Sequence, residues 1–131
     1  MSKKASSSQF LLLVRDPADG DPAPTDRQYE RLFAWFRELK KHGHLVAVNP
    51  LDKTGAKVLR GAGRRRLTDG PYIESKELVG GYVLVTARSF AQAVALAKRF
   101  PLFAARRSIE VRRLEPVSDA EILDRTKRKS R

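Results

Sequence analysis

Two segments of this 131-residue chain are apolar at consecutive positions, Phe10–Val14 and Tyr82–Val85. No other feature restricts the fold as much. A strand with one wet face alternates apolar and polar residues. An unbroken apolar run of strand length needs cover on both faces. The first run lies within Gln9–Val14 and stops before Pro17; the second follows Gly80-Gly81. Both are read as buried central strands.

The remaining elements follow from caps and periodicity. Thr25 with Gln28 three residues on has capping-box spacing. Tyr29, Leu32, Phe33, Phe36 and Leu39 then recur at helical intervals up to Lys40, Lys41 and Gly43, which predicts an amphipathic helix of about four turns. Trp35 falls beside that stripe and is expected at the edge of the core. His44–Val48 reads as a strand stopped by Asn49-Pro50. Lys57–Arg60 and Arg64–Leu67 flank Gly61-Ala62-Gly63 and read as a hairpin with a three-residue glycine turn. Ser89, with Gln92 in box position, starts a second helix on Phe90, Ala93, Val94, Ala97 and Phe100, closed by Pro101. Ser108–Leu114 alternates as a last strand, and Ser118 to Glu121 opens a short terminal helix.

The order β-α-β-hairpin-β-α-β is an α+β arrangement, the ferredoxin-like split βαβ plan with an inserted hairpin. In that plan the first and third main strands are central, which is where the two apolar runs fall. Two helices cover one face of such a sheet. The other face needs a partner, and a second copy is the simplest one, so a homodimer packed sheet to sheet is expected. Residues 1–8 are expected to be a disordered N-terminus, 9–116 the domain and 117–131 a basic C-terminal tail.

Composition sets further bounds. The chain has no cysteine and two histidines, His42 and His44. That leaves no disulfide framework, thiolate site or histidine-rich metal cluster, so no metal or cofactor is expected. No apolar stretch reaches the roughly 20 residues of a membrane span, and the basic start lacks the apolar core of a secretion signal. A cytoplasmic location without membrane contact is the expectation. The net charge is +12, and residues 9–116 alone hold most of the excess. Two clusters stand out: 57–66, with Lys57, Arg60, Arg64, Arg65 and Arg66, and 98–113, with six bases and one acid. These are the candidate contacts for nucleic acid. No aromatic residue lies in 57–66 for base stacking. The glycine–arginine stretch also lacks the Lys-Ser/Thr of a phosphate-binding loop.

Thr68–Val85 reads TDGPYIESKELVGGYVLV. Asp69, Gly70 and Pro71 form turns readily, and Glu74, Lys76 and Glu77 crowd charge before the best strand. The segment resembles the signature of the YCII-related family in its DGPF-type branch. Asp69-Gly70-Pro71-Tyr72 stands for Asp-Gly-Pro-Phe, Glu74-Ser75-Lys76-Glu77 matches the next element, and Val79-Gly80-Gly81-Tyr82 stands for Leu-Gly-Gly-Phe. Ile109-Glu110-Val111-Arg112 is similar to the family's closing strand.

The resemblance covers roughly residues 9–116. It implies a ferredoxin-like domain forming a dimeric α/β-barrel, and a regulatory or accessory role, because some members are encoded beside alternative sigma factors. Relatives outside the branch carry a His–Asp pair proposed as catalytic. Here residues 26–41 contain no histidine, and Phe100 precedes Pro101 where those relatives have Asp, so that pair is not transferred.

Three functions remain open. One is a dimeric small-molecule-binding protein, with Tyr72, Lys76 and His44 as ligand contacts. The second is an acid–base enzyme using Asp69, Glu74 and Glu77, since carboxylates at close spacing supply proton donors and acceptors. The third is a nucleic-acid-binding protein acting through its basic surface. Turn formation, packing and a solvated charged surface account for the same residues without any site.

Overall fold

The computed structural model describes residues 7–17, 23–52, 54–61, 66–70, 77–103 and 106–124. The chain runs β1 (Ser8–Pro17), α1 (Asp26–Lys41), β2 (Leu45–Pro50), β3 (Lys57–Arg60), β4 (Arg66–Asp69), β5 (Glu77–Ala87), α2 (Phe90–Ala97), β6 (Ser108–Arg113) and α3 (Asp119–Leu123). An antiparallel sheet has the order β2-β5-β1-β6, and β3 and β4 pair separately. The two consecutively apolar segments are the two central strands, as their burial requirement demands. Both run longer than the sequence pattern suggests, because β1 continues through Arg15, Asp16 and Pro17 to pair with Leu78 and Glu77 of β5.

The pleat sorts the sheet into two faces. On one, Phe10 pairs with Val85 and Leu12 with Val83. These four residues join Trp35 and Leu39 of α1, Ala93 and Ala97 of α2, and Phe100 and Leu102 in the core. α1 and α2 therefore share this face. The opposite face presents Leu11, Leu13, Tyr82 and Leu84, all half-buried, with Arg15, Glu110 and Arg112 beside them. Arg15 donates to Glu110 Oε1 from Nε and Nη2 at 3.2 and 2.6 Å, and Arg112 donates to Oε2 at 3.2 Å. These hydrogen bonds, that of Arg15 first, hold the Glu110 carboxyl below the ordinary carboxylate range.

Capping at α1 follows the sequence closely. Thr25 and Gln28 form both bonds of the box. At the other end Gly43 has φ of 78°. Its N–H bonds Lys40 O and that of His44 bonds Leu39 O, a Schellman closure whose left-handed residue glycine adopts without strain. α2 differs in part: Ser89 Oγ accepts from Gln92 N, but Gln92 Oε1 takes the N–H of Arg88. Ser118 and Glu121 complete a box at α3.

Three expectations need correction. Trp35 is core rather than edge, 6% exposed, with Nε1 donating to Leu96 O at 3.2 Å. Tyr29 and Phe33, assigned to the apolar stripe, are 44% and 52% exposed. The second hairpin strand is Arg66–Asp69, two residues further along than the expected Arg64–Leu67, with Arg60 opposite Arg66; most of the expected glycine turn lies outside the described residues. Asp69 is the last residue of β4, opposite Lys57; the turn expected from Asp69-Gly70-Pro71 continues through Pro71, which lies outside the described residues.

Candidate functional site

The cleft begins with the end of the central strands. The β1–β5 register slips between Val14, which faces Gly81, and Arg15, which faces Val79. Gly80 is thus the extra residue of a β-bulge, a device that redirects neighbouring side chains. Its carbonyl accepts from Leu51 N at 2.9 Å, tying the end of β2 to the bulge. A Cβ on Gly80 would fall on the Asp16 carboxylate, Oδ2 above all. The missing side chain is the notch in which Asp16 rests.

Arg107, just before β6, donates from Nε to Asp16 Oδ1 at 3.0 Å, and the two side chains are 9% and 19% exposed, Arg107 and Asp16 respectively. Among the described residues, no other donor reaches Asp16. Both members of the pair lie on the helix side of the sheet, where a cavity of about 300 Å³ opens between α1 and the β1–β5–β2 end. Trp35, Phe36 and Phe100 form its wall, and Tyr29 and Phe33 its rim. The rings of the wall and rim pack against one another: Trp35 and Phe100 meet edge to face at 5.5 Å between centroids, Phe33 and Phe36 at 5.3 Å. An apolar concavity ending in a few convergent polar groups is the usual form of a small-molecule site.

The residues expected from sequence are distributed differently. Glu77 begins β5 opposite Pro17, one residue from Asp16, so it shares the cleft's end of the sheet. Asp69 stands in the separate hairpin. Tyr72, Glu74 and Lys76 lie outside the described residues, as do Arg64 and Arg65. Lys57, Arg60 and Arg66 belong to the hairpin strands.

His44 is half-buried, with Nδ1 2.9 Å from Thr86 O. A carbonyl only accepts, so Nδ1 carries the proton. His44, His42 and Arg88 border a second, smaller hollow, and His42 Nε2 sits 3.1 Å from Glu38 Oε2. In the basic cluster 98–113, Arg107 serves the cleft, Arg112 pairs with Glu110, and Arg113 lies 5.2 Å over the Phe10 ring. At least these three of the cluster's six bases are engaged within the fold.

Sequence reasoning missed Asp16 and Arg107. The available signal was Gly80-Gly81 at the start of a strand, since glycine there marks a close approach by another group. Among the described residues, no group of three or more potential ligands could hold a metal ion, and no helix is long and apolar enough to cross a membrane.

The architecture is thus an α+β domain with an antiparallel four-stranded sheet, helices on one face and an aromatic-walled cleft at one end. The chain belongs to the YCII-related domain family, whose model matches residues 9–118. Among curated proteins no sequence matches it.

Proposed function

We propose that this chain is a DGPF-type member of the YCII-related family, a ferredoxin-like homodimer that binds a small organic molecule in the cleft between α1 and the sheet, in a regulatory or accessory role. The observation carrying this reading is the cavity of about 300 Å³ with aromatic walls and the Asp16–Arg107 pair at its end. A concavity of this size with mostly apolar walls and an ion pair at its end has the usual make-up of a small-molecule site. Half-exposed Tyr29 and Phe33 at its mouth add apolar surface that an occupant would cover. The strand order β2-β5-β1-β6 supports the ferredoxin-like plan, and the half-buried leucines of the opposite face support the dimer.

The chain contains a single tryptophan, and it lines the cleft. Titration of ¹⁵N-labelled protein with a panel of small aromatic and aliphatic molecules is expected to move the Trp35 indole N–H resonance together with the Gly80 and Gly81 amides. A panel that leaves all three in place would refute the cleft as the binding site.

A further inference from the structure

We infer that the cleft selects an uncharged molecule of one or two aromatic rings bearing a hydroxyl or N–H group that donates to Asp16 Oδ2. This inference rests on the cleft being the binding site and adds the chemical class of its ligand.

Size is the first constraint. About 300 Å³ is the lower end of ordinary ligand clefts, enough for one or two rings. The walls supply the second. Trp35, Phe36 and Phe100 are held in tilted and edge-to-face contacts, and the Trp35–Phe36 centroids are 5.7 Å apart. Such an array receives another ring edge-on or offset. Tyr29 and Phe33 expose about half of their surface at the mouth, where a ring would cover them.

Asp16 supplies the third. Its side chain is 19% exposed, and a carboxylate largely withdrawn from water is better satisfied with a donor on each oxygen. Oδ1 has Arg107. Oδ2 rests in the Gly80 notch with no donor among the described residues. Asp16 is already ion-paired with Arg107, so a cation gains less there than at a lone carboxylate. An anionic acceptor brings no donor to Oδ2, which can only accept. A neutral donor on an aromatic ring satisfies Oδ2, the walls and the volume together.

The test uses 2-naphthol, 2-methoxynaphthalene and 2-naphthoate, followed by NMR at the Trp35 indole N–H. Wild-type protein is expected to bind 2-naphthol at least tenfold more tightly than either of the other two. In Asp16→Asn, which turns an N–H toward the ligand, that preference is expected to collapse to within about twofold. Gly80→Ala keeps Asp16 but fills its notch, and is expected to remove the preference as well. The second variant keeps the question answerable if Asp16→Asn fails to fold. Equal affinities for the three probes in the wild type would overturn the ligand class while leaving the cleft a binding site. Binding that retains its preference in both variants would overturn the role of Asp16. No response at Trp35 to any probe would overturn the cleft itself.

Discussion

Gly81 and Glu110 each do something their residue type would not announce. Gly81 is buried in β5, and a Cβ there would lie 3.0 Å from both Asn49 O and Pro50 Cα. Those are backbone atoms of β2, so the edge strand must move to admit even a methyl group. Gly81→Ala is expected to lower stability by about 1–3 kcal/mol, the usual cost of overpacking, measured by urea unfolding. At Glu110 the question is pH. Arg15, then Arg112, bonds the ionised carboxylate and lowers its pKa from the ordinary 4.5. The unfolded chain, at the ordinary value, therefore binds this proton at a higher pH than the folded chain. The stabilisation is complete above that value and is lost as pH falls through the folded one. Thermal midpoints from about pH 3 to pH 7 should show Glu110→Gln less stable than wild type near neutrality, the gap closing on acidification. A gap that stays constant would refute the assignment.

Elements were legible in this sequence wherever their determinants are local. Thr25 with Gln28 and Ser118 with Glu121 form capping boxes within four residues of chain, and the closure at Gly43 is equally local. Gly43 has nothing within 4 Å of a built Cβ, so Gly43→Ala tests backbone strain without a clash. It is expected to cost about 1 kcal/mol, the penalty of a left-handed L-residue, seen as a lower urea midpoint with an unchanged slope. What the sequence concealed depends on distant partners. The second hairpin strand lies two residues beyond the expected Arg64–Leu67, since its pairing with Lys57–Arg60, rather than any local spacing, sets its place. The face of α1 was misread because Tyr29 and Phe33 are as aromatic as Trp35, and only the assembled sheet decides which ring it covers. The cleft needs Asp16, Gly80 and Arg107 together, from three separate segments. No spacing links them, and only the paired glycines hinted at the notch.

At the scale of the whole molecule, the two apolar runs return as a question about the uncovered face. Phe10, Leu12, Val83 and Val85 are satisfied by the helices. Leu11, Leu13 and Leu84 alternate with them and remain half-buried. Leu11 and Leu84 are cross-strand neighbours at the centre of the sheet, and the ion-paired Arg15, Glu110 and Arg112 lie toward the β6 edge. An apolar centre with a charged border is the composition of an interface that excludes water in the middle and sets register at the rim. Two copies related by a twofold axis would place each leucine patch against its equivalent. Light scattering at micromolar concentration is expected to give about twice the 14.8 kDa of one chain. Leu84→Arg would place one guanidinium in each patch, so that the twofold brings two like charges together without a counter-ion. That variant is expected to elute as a folded monomer, with the Trp35 resonance and cleft binding retained. A wild-type mass near that of one chain would refute the dimer, and a dimeric Leu84→Arg would move its interface to another face.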